Sequence, residues 1–256
     1  MVLDNDMRGW IMTAVSGIAC TFGASIICVD LIVRYFPGKK NFKIEESNAF
    51  LSTGLSLSFG VMIFSSLYSM LPSAKNYLKK GGMSPRNAIL TLVGCFLIGA
   101  LGISTSTAIA LHKIPEGFIT YATNHANPTL GFSIFLALFI HNITEGFALA
   151  LPLYLAIGSR WKAMLISAVL GGVSQPLGAG VAALWFKIQG RGRQHGADEE
   201  MDTIYGCMFA VTAGIMAMVS LQLLGESLDL TNSRRLCFVS AFAGMGILGL
   251  SSALTA

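Results

Sequence analysis

The chain is 256 residues long, 54% hydrophobic and only 12% charged, with a mean hydropathy of +0.66 and a formal net charge of +4. Soluble domains usually carry about 25% charged residues, so this composition excludes an ordinary water-soluble fold and points to a chain that uses a lipid bilayer as solvent. The small positive charge is spread over loops, so nothing points to nucleic acid and none is expected as a partner.

A membrane-crossing helix needs about 20 mainly apolar residues. In chain order the predicted spans are Trp10–Val33, Asn48–Leu71, Asn87–Ile103, Thr105–Asn124, Leu130–Ile157, Trp161–Phe186, Met201–Leu228 and Arg235–Leu254. The breaks between them combine turn formers with charge, as in FPGKKNFKIEES, SAKNYLKKGGMSPR and KIQGRGRQHGADEE. Residues 1–9 carry two acids ahead of the first apolar run, a poor secretory signal, so the first span is expected to be retained. The expected fold is all-α and polytopic, with residues 1–256 forming one transmembrane domain.

The third and fourth spans are the hardest to separate. Residues 86–123 as one helix would run about 57 Å at 1.5 Å per residue, well beyond the hydrocarbon thickness of about 30 Å. A turn is therefore expected at Gly102 and the polar run Ser104–Thr107. Eight spans put both termini on one face. Lys and Arg divide evenly between the two faces, so the positive-inside rule leaves the orientation open. The five cysteines sit mostly in apolar segments without a CxxC, and are read as small packing residues.

Two internal echoes stand out. LHKIPEGF at Leu111–Phe118 and HNITEGF at His141–Phe147 share a His, a Glu four residues on, and then a Gly. The second echo is G-x-M-x-x-x-S-L, at Gly60–Leu67 in span two and at Gly214–Leu221 in span seven. Spans two and seven, like four and five, are symmetric about the middle of the span order. Partners whose numbers sum to nine then enter the membrane from opposite sides, the signature of an inverted repeat.

On a helix, residues i and i+4 share a face. His112 with Glu116, and His141 with Glu145, each form an N/O patch inside an apolar segment. A charged group at the bilayer centre costs roughly 2.5–3.5 kcal/mol on insertion scales, so the patches must face each other, water or an ion. Imidazole plus carboxylate suits Zn²⁺ and neighbouring first-row cations. Interhelical hydrogen bonding accounts for one such pair; two on adjacent helices favour a metal. Pro115 cannot donate to the carbonyl of Leu111, which frees that oxygen beside His112. Gly117 and Gly146 let backbones approach closely, and Asn142 offers an amide oxygen.

HKIPEG and HNITEGFALALPLY closely resemble the fourth- and fifth-helix motifs of the ZIP (Zrt-, Irt-like) divalent-metal transporters. The wider wording, EGFITYATNHANPTLG with GSRWKAML and GGVSQPLGAG, is most similar to the fungal vacuolar branch. The resemblance implies eight transmembrane helices in a 3+2+3 inverted-repeat arrangement and termini outside the cytosol. Metal would move into the cytosol through a site between helices four and five. It implies ligands at His112, Glu116, His141, Asn142 and Glu145, with Gln175 at a sixth-helix position where many members carry Glu. Lys113 stands where the family usually has Asn, a ligand of a second metal. An ammonium has no free lone pair, so one metal is expected, with Lys113 neutralising Glu116 or Glu145; snorkelling of Lys113 toward an interface is the alternative. The family's long His-rich loop between helices three and four is nearly absent here.

The expected role is therefore transport of zinc as substrate, with no cofactor and no enzymatic activity. Fe²⁺, Mn²⁺ and Cd²⁺ stay open as further cargo, because such sites overlap in preference. Proton linkage is left open: acid would protonate His112 and His141 in competition with metal. The vacuolar membrane is expected ahead of the plasma membrane, and a homodimer remains open. An intramembrane zinc-dependent hydrolase is the alternative, and a metal-free channel or receptor a third reading. Asp30 and Glu226, near span ends, are expected to cap or face the interface, and Met62, Ser65 and Ser66 to line a pathway or simply pack. His125, Glu199, Glu200 and Asp202 are read as solvated loop groups on the intake side.

Overall fold

A computed structural model describes residues 4–37, 40–101, 112–126, 128–189 and 197–254. The described residues are helical or in short connections, without strands. Numbered as continuous rods, the helices are α1 (Asn5–Val33), α2 (Asn48–Lys80), α3 (Pro85–Leu101), α4 (Lys113–Ala126), α5 (Pro128–Ile157), α6 (Arg160–Ile188), α7 (Ala197–Leu230) and α8 (Arg234–Leu254). Six of these, all but α3 and α4, are long and apolar enough to cross a membrane. The turn expected at residues 102–107 lies outside the described residues, as does the freed carbonyl of Leu111.

The surface supports the membrane reading. Ile18 and Phe22 of α1, Ile98 of α3, Leu184 of α6 and Phe242 and Leu250 of α8 all point outward and are each more than half exposed. Polar side chains instead turn inward, among them Ser16, Ser56, Ser66, Thr212 and Ser227. A water-soluble protein rarely shows apolar surface on this scale.

Four rods, α1, α4, α5 and α6, pack on one another, and α2, α3, α7 and α8 form a second group. Contact between the groups is sparser and runs mainly through α2 on α5, α8 on α5 and α7 on α4. Reciprocal glycines set the tightest contacts. A Cβ on Gly146 of α5 would lie 1.9 Å from the carbonyl oxygen of Cys20 in α1, and one on Gly23 of α1 would lie 1.9 Å from that of Ile143 in α5. The same exchange joins α4 to α6 through Gly117 and Gly178, α2 to α8 through Gly60 and Gly244, and α3 to α7 through Gly99 and Gly214. In lipid no hydrophobic force draws helices together, so close van der Waals approach has to. The glycines that follow Glu116 and Glu145 thus do what the sequence anticipated: each lets its carboxylate helix lie against a neighbour.

Rods consecutive in the chain alternate in direction. At one face the start of α1 meets the end of α4, where Asn124 Nδ2 donates to the carbonyl of Asn5 at 2.7 Å and His125 Nδ1 contacts Asp6 Oδ1 at 2.8 Å. At the other face the end of α1 meets the start of α6. Asp30 is wholly buried there, its Oδ2 accepting from Arg34 Nη2 at 2.8 Å and from Arg160 Nη2 at 2.6 Å. This corrects the expectation that Asp30 caps a helix or faces the interface; two guanidiniums compensate its burial instead.

Gly146→Ala should force α1 and α5 apart and cost roughly 1–3 kcal/mol or more. Gly225→Ala, where a Cβ meets nothing within 4 Å, should be neutral or gain about 0.5–1 kcal/mol. Thermal unfolding in detergent compares the two.

Candidate metal centre

The two HxxxE turns meet where α4 and α5 cross. His112 ends the connection into α4, and its carbonyl accepts from Glu116 N–H at 3.2 Å, so the motif is locked by the first helical turn. Pro115 sits in that same turn, where its missing N–H is one of the donors that would be unsatisfied anyway. His141, Asn142 and Glu145 lie one turn apart within α5. His112, Lys113, Glu116, His141, Asn142 and Glu145 are all 0% exposed.

Their polar atoms converge. One ligand atom each from His112, Glu116, His141 and Glu145 lies within 4.8 Å of all the others. His141 Nε2 is 3.3 Å from Glu145 Oε2 and 3.5 Å from Glu116 Oε1, and His112 Nε2 is 3.8 Å from Glu116 Oε1. His112 also contacts Glu145 directly across the helix pair. Ligands at 2.0–2.2 Å from a tetrahedral zinc stand about 3.4 Å apart, so these separations need only slight adjustment. Glu116 Oε1 and both ring nitrogens of His141 are buried outside hydrogen-bonding geometry. Polar atoms left so in a dry interior call for a partner; a cation between the four groups would supply one.

Lys113 does not snorkel. Its Nζ lies 3.0 Å from Glu116 Oε2 and contacts Glu145 Oε2 and Asn142 Oδ1. Asn142 in turn donates from Nδ2 to Ser16 Oγ of α1 at 2.5 Å. From α6, Gln175 Nε2 donates to Glu116 Oε2 at 3.0 Å, while its Oε1 is buried without a hydrogen bond. Every site residue read from the sequence is therefore gathered into one cluster. Ser16 is an addition no pattern announced, since a single hydroxyl in an apolar helix carries no signal.

A cavity of about 150 Å³ reaches the cluster from the face that holds the start of α1. Ser65, Ser69 and Ser73 of α2, Phe209 of α7 and Ser252 of α8 line it, and Glu116 forms its floor. At its middle α2 widens into a π-helical stretch, Ser65–Met70, with Ser66 Oγ donating to the carbonyl of Ala213 at 2.8 Å. His125 is drawn to Asp6 rather than left as a free loop group.

An all-helical chain with an apolar exterior and a buried N/O cluster on crossed helices defines a polytopic membrane protein with a candidate metal centre. Residues 98–252 match the family described as ZIP Zinc transporter, and the chain belongs to that family. It is 41% identical over 148 residues to the probable zinc transporter zip2 of Schizosaccharomyces pombe and 47% identical over 126 residues to zinc-regulated transporter 3 of Saccharomyces cerevisiae. Those alignments cover 57% and 48% of this chain, but only 36% and 24% of the two relatives. The zinc transporter ZupT of Corynebacterium aurimucosum is 30% identical over 246 residues, covering 83% of this chain and 88% of that protein.

Lys113→Met leaves two buried carboxylates without their shared cation. The metal-free protein should lose about 3–5 kcal/mol, and added zinc should raise its melting temperature more than it raises that of the unaltered chain. Melting with and without zinc checks this.

Proposed function

We propose that the chain carries zinc across a membrane, holding one ion at a time among His112, Glu116, His141 and Glu145. The observation that carries this reading is the convergence of four buried donors from two helices at zinc-like separations, in a family whose relatives bear the name zinc transporter. Lys113 takes the place a second ion would need, because its ammonium already occupies Glu116 Oε2, Glu145 Oε2 and Asn142 Oδ1. Asn142 and Gln175 then serve the site mainly through Lys113 and Glu116, and Gln175 Oε1 stays available as a further donor. Iron, manganese and cadmium fit the same donor chemistry.

The architecture fits alternating access. The proposed ligands sit on α4, on the residue just before it and on α5, all in one group backed by α1 and α6, and the cavity runs along the seam with the other group. Away from that cavity the seam is shut by Ile27, Ile44, Leu51 and Phe147. Tyr154 of α5 contacts Glu45 there, and Arg160 lies over the Tyr154 ring at 5.0 Å. Rocking of the two groups would exchange which end is closed. We read the cavity face as the lumenal or outer side and the opposite face as cytosolic, with the vacuolar membrane as the proposed residence.

The glycine contacts also support a 3+2+3 inverted repeat, with a pairing that differs from numbers summing to nine. The α1–α5 contact corresponds to α6–α4, and α2–α8 to α7–α3. The repeat then relates α1 to α6, α2 to α7, α3 to α8 and α4 to α5. The hydrolase alternative gains nothing: four protein donors enclose the centre, where a catalytic zinc usually keeps three and an open position.

Zinc uptake into liposomes carrying the purified chain should fall at least about tenfold in His112→Ala and in Glu145→Ala. Equal flux in all three would remove the assignment. Metal analysis of the unaltered chain should find one zinc per chain in this cluster; two would contradict the role given to Lys113.

A further inference from the structure

At the closed end of the seam, five side chains form one line of contacts. Asp30 Oδ2 of α1 accepts from Arg34 Nη2 at 2.8 Å and from Arg160 Nη2 of α6 at 2.6 Å. Arg160 lies 5.0 Å over the Tyr154 ring of α5, and the Tyr154 hydroxyl donates to Glu45 Oε1. The first four lie in or next to α1, α5 and α6, the group that holds the site. Glu45 does not: it sits in a short turn, Ile44–Glu46, that leads directly into α2 of the other group. Tyr154 is buried, and its hydroxyl reaches an exposed Glu45 at the rim. Two guanidiniums share the one carboxylate of Asp30, and Glu45 is the next carboxylate along the line. A cation over the face of a phenol makes its hydroxyl a better donor, so Arg160 strengthens the bond from Tyr154 to Glu45.

Tyr154 completes an apolar closure. Phe147, two helical turns earlier and so on the same face of α5, lies against Phe50 and over the bare backbone of Gly54, both in α2. Ile44 and Leu151 are buried in the same cluster. Apolar contact is non-directional and survives a small slide of one helix along another. A hydrogen bond to a carboxylate is lost as soon as its geometry fails. Another polar contact across the seam, Ser58 Oγ to the Thr144 carbonyl at 3.1 Å, lies deeper, beside Glu145, and joins uncharged partners. The bond from Tyr154 to Glu45 is therefore the contact that distinguishes a shut rim from a parted one.

Resting on the zinc-transport reading above, we infer that Tyr154 and Glu45 are the latch of the exit gate: their contact holds the site-bearing group against α2 while the cavity is open, and zinc leaves only after it parts. Arg160, anchored by Asp30, is a positioning residue for the Tyr154 hydroxyl.

The test uses the full chain in lipid nanodiscs, where both faces meet a water-soluble maleimide. Leu51→Cys places a reporter at a buried position of the shut seam. Native Cys237, buried against Ser227 within the other group, is the control. Peptide mapping reads the labelling rate at each position. Tyr154→Phe keeps the ring under Arg160 and loses only the hydroxyl; it should raise labelling at position 51 about fivefold and leave Cys237 unaltered. Glu45→Ala should do the same, and the two together no more than either alone, because both remove one contact. Glu45→Gln, whose amide oxygen still accepts, should stay closer to the parent rate. Flat labelling at position 51 in Tyr154→Phe and Glu45→Ala overturns the inference. So does an additive double variant, or an equal rise at Cys237, which would mean general loosening. Where Tyr154→Phe does not assemble, Glu45→Ala, on an exposed turn, decides by itself. Zinc flux of the unaltered chain in liposomes tests the transport reading separately: no flux sinks that reading, whereas flux with flat labelling sinks only the latch.

Discussion

Two carboxylates held at zero exposure within a lipid-facing helical protein are the constraint on which everything else depends. Glu116 and Glu145 cannot stay ionised there alone, because burial strips their hydration and like charge is near. The chain answers with one ammonium, two imidazoles and two amides, drawn from three helices and steadied from a fourth. The geometry leaves Glu116 Oε1 and the His141 nitrogens without hydrogen bonds. The cluster is therefore compensated but incomplete, which is the condition a site needs if it is to accept a cation and later release it.

Bringing these groups together requires helices closer than ordinary side chains permit. The Glu-Gly dipeptide links the two demands: each carboxylate faces the centre, and the next residue presents bare backbone to a neighbouring helix. Gly117 lies against Gln175, itself a partner of Glu116, and Gly146 lies against Cys20 of the helix that supplies Ser16. Packing and chemistry are thus fixed by adjacent residues, and a Cβ at either glycine would displace both.

The two ends of the seam differ in kind. Toward the cavity, serine hydroxyls and Glu116 offer polar atoms beside open space. At the other end, Asp30 with two arginines and Tyr154 with Glu45 join α1, α5, α6 and the connection into α2. Ion pairs and tight apolar packing close one route while the other remains accessible, an asymmetry that fits the proposed alternating access.

The sequence by itself determined the helical class, most span positions and the two HxxxE faces, because each depends on local periodicity: a run of apolar residues, or two groups four apart on one helix. It left Lys113 with two destinations, beside Glu116 or Glu145 or snorkelling toward an interface, because a four-carbon stem can reach either. What joins distant segments was decided only by the tertiary structure. Ser16 meets Asn142 across 126 residues and Asp30 meets Arg160 across 130, and neither contact leaves a trace in spacing. The pairing in the proposed repeat, α1 with α6 rather than α8, likewise rests on glycines of different helices that face one another. Local spacing fixes which side chains share a helix face; only packing fixes what that face meets.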